Sequence, residues 1–217
     1  MQTYKKANCP SCGAKSDQID RFAQMAVCDY CGSAFYFKDE AILAMGEMAI
    51  LVEYPTPLYV HATGHIKGKA FDIIGRVRYR YSRGFWDEWY LRYDDGGFGW
   101  IVEDEQEYSL ERTIENPGAV PPLQSLNPGS RATIAGQAVF VDERDEAHFE
   151  GAEGSLPFLV SENRRFPYVD ASQGETTVTI EYGEEGTEVF VGHFIDVGDI
   201  ALDHPKEDMQ GYGWSEA

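Results

Sequence analysis

The chain has 217 residues, 43% apolar and 25% charged, a globular composition that excludes wholesale disorder. Eighteen basic residues against 37 acidic ones leave a formal charge of −19, which disfavours sequence-independent binding to nucleic acid and to anionic membrane surfaces.

The first residues carry two lysines, Lys5 and Lys6, but no apolar stretch behind them, so they do not read as a secretory signal. The longest apolar run, 41–52, is interrupted by Gly46 and Glu47 and is too short for the roughly 20 residues that span a bilayer. The expectation is a cytoplasmic, reducing setting, with membrane contact only through a partner.

All four cysteines fall in the first 31 residues, as Cys9-Pro-Ser-Cys12-Gly and Cys28-Asp-Tyr-Cys31-Gly, with fifteen residues between the pairs. Each pair can place two thiolates on one side of a tight turn, and Gly13 and Gly32 let the chain bend beneath a metal. Cys9, Cys12, Cys28 and Cys31 therefore read as the tetrahedral ligands of one structural Zn²⁺; a four-cysteine iron–sulfur cluster uses the same residue types and stays open. Such a site has no free coordination position, so it should hold a fold together rather than catalyse. Residues 1–37 resemble a zinc ribbon. Their charge of +1 becomes about −1 with a zinc and four thiolates, which favours protein contact over nucleic acid.

Residues 38–54 read as a short connector helix, capped by Asp39, with Ile42, Met45 and Ala49 on one stripe. Pro55 and Pro57 end it. Residues 55–203 then show many short alternating runs separated by Gly, Asp, Asn and Pro. The fold class is mostly β: an antiparallel sandwich or barrel-like domain behind the ribbon and helix. Four prolines within 116–129 mark a boundary between sub-sheets at about 55–115 and 126–203. Gly75-Arg-Val-Arg-Tyr79 and Gly136-Gln-Ala-Val-Phe140 are a weak internal echo, which leaves a duplicated β unit open.

The clearest hairpin is 76–93. Pairing Tyr79 with Trp89 and Val77 with Leu91 gives one apolar face and sets Arg80 opposite Glu88. Arg80, Trp86, Glu88 and Trp89 are the candidate interaction surface of this hairpin. Together Trp86-Asp-Glu-Trp89-Tyr-Leu91, Gly75-Arg-Val-Arg-Tyr79, Gly154-Ser-Leu-Pro157 and Glu181-Tyr182-Gly183 resemble domain-of-unknown-function family 4178, over roughly residues 55–203. The resemblance implies association with other proteins, in a bacterial membrane-stress or conflict setting, and supplies no catalytic residue.

No nucleophile elbow, phosphate loop or dinucleotide fingerprint is present. His61 and His65 have metal-like spacing only on a helix, and Gly64 argues for strand and turn instead. The abundant carboxylates read as a solvated face. Residues 58–93 form a basic island of net +4, whereas 94–115 carry −7 and 116–217 carry −14. Internal pairing of these regions is the simpler reading. The polar tail 204–217 holds Tyr212 and Trp214, which could serve as a docking motif. The expected function is thus a non-enzymatic zinc-ribbon adaptor that associates with other proteins. The alternative is a β domain with a pocket for a small, polyamine-like ligand or for catalysis, since so negative a chain attracts cations.

Overall fold

The computed structural model describes residues 4–39, 41–160, 163–184 and 186–206. The proposed docking motif at Tyr212 and Trp214 lies outside them. No helix is long and apolar enough to cross a membrane among the described residues.

The N-terminal part is two small antiparallel units. Strands β1 (Tyr4–Asn8) and β2 (Lys15–Asp20) form one hairpin. Strands β3 (Met25–Val27), β4 (Ser33–Lys38) and β5 (Ala41–Glu47) form a three-stranded meander. The expected connector helix is therefore corrected: 41–47 is a strand. The chain reverses at Asp39, whose φ is +54°, and Phe37, Tyr36 and Phe35 pair with Ile42, Leu43 and Ala44. An isolated helix this short gains little in water, whereas β4 offers a complete ladder of backbone partners. The meander is also bonded into the rest of the molecule, since Ala26 and Met25 of β3 pair with Ser155 and Leu156.

The remainder is antiparallel. Strands β6 (Thr63–Ile66), β7 (Lys69–Arg80), β8 (Phe85–Tyr93), β9 (Phe98–Asp104) and β10 (Glu107–Thr113) follow one another as neighbours. After a short 3-10 turn at Leu123–Ser125 come β11 (Arg131–Ile134), β12 (Gln137–Leu156), β13 (Arg165–Gln173), β14 (Thr176–Gly183) and β15 (Gly186–Ile195). A last strand, β16 (Ile200–Leu202), caps the β6 edge. Two joints connect the halves. β10 pairs with β15, and β7 pairs with β12. The ladders therefore run in a ring, β7–β8–β9–β10–β15–β14–β13–β12 and back to β7. The ring is not a regular barrel. β12 is a twenty-residue strand whose first half pairs with β13 and whose second half pairs with β7, with bulges between Val141 and Glu143 and between Phe149 and Gly151.

Gly75 matters here because a Cβ at this position would lie 2.2 Å from the carbonyl oxygen of Ser155, so β7 can approach β12 only with glycine. Gly136 does a different job, turning β11 into β12 at a φ of +79°. The apparent sequence echo between these two glycines is not a structural one.

The expected hairpin register is also corrected. Tyr79 faces Trp86 and Val77 faces Glu88, while Arg78 faces Asp87. The reversal is tighter than the expected five-residue loop, with the Tyr81 N–H bonded to the Gly84 carbonyl at 3.0 Å. A three-residue slip is odd, so it exchanges the two faces of β8. It also sets Asp87 between Arg76 and Arg78, where one fully buried carboxylate receives four bonds of 2.8–3.0 Å from two guanidiniums. Arg83 pairs with Glu143, Arg80 with Glu150, and Arg92 with Asp20 and Asp72. The basic island is thus neutralised within the chain.

Two apolar layers cover the outside of the ring. Leu58, Ala62, Ile66 and Ile200 pack on Ile73, Trp89, Leu91 and Ile101. Leu126 and Ile134, with Val120 and Leu123, pack on Val169, Val178, Ile180 and Val189. Alternate positions of the same strands must then face inward.

Candidate functional site

The first candidate is the cysteine cluster. The turn between β1 and β2 carries Cys9 and Cys12, and that between β3 and β4 carries Cys28 and Cys31. Each turn closes the same way. Gly13 N–H bonds to the Cys9 carbonyl at 2.9 Å and Gly32 N–H to the Cys28 carbonyl at 2.8 Å, with φ of +76° and +70°. Only glycine adopts that conformation freely. The four sulfurs lie within 4.8 Å of one another; Cys9 to Cys31 and Cys12 to Cys28 are both 3.8 Å. A tetrahedron of thiolates at about 2.3 Å from an ion has edges of about 3.8 Å, so the set fits a single metal ion. No disulfide competes, since all four are free thiols.

The second candidate is inside the ring. Its interior holds a cavity of about 340 Å³, the size class of a small-ligand site. Eight strands make an interior just wide enough for side chains or for one small ligand. Here the walls are acidic and aromatic. Glu88, Glu111, Asp170 and Glu181 line the body of the cavity, and Asp104, Glu107, Asp142 and Glu143 also line it. Trp86, Trp100, Tyr168 and Phe190 supply apolar wall. Among the described residues no Lys, Arg or His lines it.

These positions follow from the alternation. On β14, Val178 and Ile180 enter the outer layer, so Thr177, Thr179 and Glu181 line the cavity. On β8, Asp87 and Trp89 are buried outside, so Trp86 and Glu88 face in.

Glu143 is bonded on both oxygens, by Tyr168 and Arg83, and Asp104 accepts from Tyr81, but Glu88, Glu111 and Asp170 are only partly bonded. Trp86 Nε1–H donates to Glu88 Oε1 at 2.8 Å. Ser109 and Thr177 hydroxyls donate to the same oxygen of Glu111, Oε1, at 2.8 and 3.0 Å. Thr179 donates to Asp170 Oδ1 at 2.8 Å. Nothing protein-borne donates to the second oxygen of these three among the described residues. Glu111 and Glu181 are nevertheless only 6% and 4% exposed. Loss of water raises all four acids: Glu88 and Asp170 are pushed up to about 7, Glu111 is raised, and Glu181 well above its ordinary range, further raised by Glu88 and countered by Arg164.

A second cavity of about 540 Å³ shares Glu88, Trp100, Glu181 and Phe190 with the first. Arg164 and Arg112 line it, and Arg164 Nη2–H donates to Glu181 Oε2 at 3.2 Å.

The four hairpin residues singled out from sequence do not form one exposed face. Arg80 is on the outer surface, bonded to Glu150. Trp86 and Glu88 line the cavity, and Trp89 is 1% exposed, under the outer layer. His61 and His65 do not converge; each lies near a different aspartate, Asp29 and Asp203. Sequence reasoning missed Glu111, Asp170 and Glu181. Their signal was there as Thr177-x-Thr179-x-Glu181, a polar alternation, but it reads equally well as a solvent face.

The family model described as Domain of unknown function (DUF4178) matches residues 60–197, which is well over half of the chain and includes β6 to β15. The chain belongs to that family. No curated protein and no solved structure matches it.

Proposed function

We propose that this DUF4178 chain is a ligand-binding module that holds a small organic cation inside its β ring. The observation that carries this is the cavity lined from β8, β9, β10, β12, β13, β14 and β15, with eight carboxylates on its walls and, among the described residues, no basic side chain. Carboxylates that are shielded from water and only partly bonded are costly unless a proton or a cation accompanies them. Aromatic walls suit alkylammonium groups, whose charge is attracted to ring faces. The cysteine cluster has a supporting role: one zinc ion would join the two N-terminal turns, and β3 passes that rigidity to β12.

The test is native mass spectrometry of the chain purified gently from its own host. A mass of chain plus one zinc plus an organic cation supports the reading. It falls if no organic cation is carried and none raises the thermal midpoint at about 0.3 M salt, where attraction to the outer surface is screened.

A second reading, association with a protein partner, has one observation in its favour. β5 is an edge strand with an open ladder side, and Leu43, Met45, Ile50 and Val52 near it are exposed, Ile50 by 96%. Ile50→Asp with Val52→Asp should then abolish co-purification of a partner while leaving cation binding intact.

A further inference from the structure

We propose that the occupant of the ring is a linear polyammonium chain, lying along the strands with one ammonium at each of three carboxylate levels. This deepens the reading of the ring as an organic-cation site and rests on it.

The spacing of the acids carries the argument. Thr177, Thr179 and Glu181 occupy alternate positions of β14 and all line the cavity. Two residues of strand advance about 6.6 Å, so the three side chains step along the cavity at that interval. Each step presents a carboxylate. Glu181 stands at the first, with Glu88 beside it, both shared with the second cavity. Asp170 stands at the second, opposite Thr179 in the ladder and bonded to its hydroxyl at 2.8 Å. Glu111 stands at the third, bonded to the Thr177 hydroxyl at 3.0 Å.

A single metal ion does not fit this arrangement. Among the described residues, no three acidic groups bring ligand oxygens within 4.8 Å of one another; only the cysteines do. Ca²⁺ and Mg²⁺ need oxygens converging at about 2.0–2.6 Å from one centre. A ligand with one charge would satisfy one level and leave the others unpaired. Amines separated by four methylenes are five bonds apart; at about 1.5 Å per bond in a zigzag they lie about 6 Å apart, close to one step. The methylenes between them would lie against Trp86, Trp100, Tyr168 and Phe190. Arg164 reaches Glu181 from the second cavity and offsets one charge of the Glu88–Glu181 level, so that level keeps one carboxylate for the ligand.

The test is titration calorimetry on the full zinc-loaded chain at about 0.3 M salt, using butylamine, 1,4-diaminobutane and N-(3-aminopropyl)-1,4-diaminobutane. Affinity should rise about tenfold with each added ammonium. Asp170→Asn should lose about tenfold for the triamine and Glu111→Gln a similar factor, while Asp95→Asn, paired with Lys69 at the surface, changes nothing. Equal affinity for the three amines would overturn the polyammonium chain and leave the cation reading standing. Failure of all three to bind, with a neutral or anionic ligand found in the native mass, would overturn both. Stoichiometric binding of Mg²⁺ or Ca²⁺ that displaces the triamine would also overturn the proposal. The wild-type amine series decides the matter even if a variant fails to fold.

Discussion

Two buried acids on the outer face of the ring, Asp87 and Glu103, are bonded on both oxygens, whereas three acids on the cavity wall, Glu88, Glu111 and Asp170, are bonded on one. Asp87 takes four bonds from Arg76 and Arg78. Glu103, 1% exposed, accepts from Trp89 Nε1–H at 3.0 Å, from Thr56 at 2.8 Å and from Tyr108 at 2.7 Å. Across the same sheet, Glu88, Glu111 and Asp170 each receive wall donors on one oxygen only. A fully bonded buried charge is part of the frame, because removing any partner strands the rest. A half-bonded charge facing a cavity is frame only to the extent that a ligand or a proton completes it. The two regions differ in what their donors leave over, and Glu88 and Asp170 are only half-buried where Asp87 and Glu103 are fully buried.

Removing the metal should have the largest effect, and it probes a third region that supports both. Chelation should unravel the turns at Cys9–Gly13 and Cys28–Gly32 and lower ring stability through β3–β12 and Arg92–Asp20, by several kcal/mol in a thermal melt. Retention of the full midpoint without metal would show that the turns are not coupled to the ring. Next, Asp87→Ala should cost about 3–5 kcal/mol in denaturant unfolding, since it leaves two buried guanidiniums facing each other. Glu111→Gln should cost less than about 1 kcal/mol in the ligand-free chain, because the amide keeps an oxygen to accept from Ser109 and Thr177 and brings no charge into the cavity. Equal losses for the two variants would break the distinction between frame and site.

The pH profile sharpens it. Glu88 and Asp170 have folded-state values near 7, above their ordinary range, so folding takes up protons between the two values. Their contribution is complete below the unfolded values and is lost as pH rises through about 7. The ligand-free melting temperature should therefore fall from about pH 5 to pH 8, and Glu88→Gln should flatten that slope. Affinity for an amine should move the opposite way, increasing as the carboxylates ionise. The smallest effect is expected at the surface: Lys69→Ala removes a pair with Asp95 in which both side chains are about half exposed, and should change stability by about 0.5 kcal/mol or less.

Much of the fold was legible. The alternating runs and the turn glycines point to short antiparallel strands, and four cysteines at two-residue spacing identify their own cluster. Strand β5 was not legible, because Ala41–Glu47 satisfies a helical stripe as well as a strand until Phe35, Tyr36 and Phe37 offer a ladder. The hairpin register failed for a related reason. Tyr79 faces a tryptophan in either register, Trp89 in the expected one and Trp86 in the observed one, and the tight turn at Tyr81–Gly84 selects the second.

What the sequence by itself determined is local: the metal ligands, the strand-forming runs and the existence of two chemically distinct faces on strands such as Thr176–Gly183. Which face turns inward was decided by tertiary structure alone. A two-residue period distinguishes the faces but gives no sign to the difference. The sign came from Leu58, Ile66, Leu126 and Ile134, remote in sequence, which cover Trp89, Ile101, Val178 and Ile180 from outside. Burying the apolar face beneath those layers left Glu88, Glu111, Asp170 and Glu181 nowhere to stand but around the cavity.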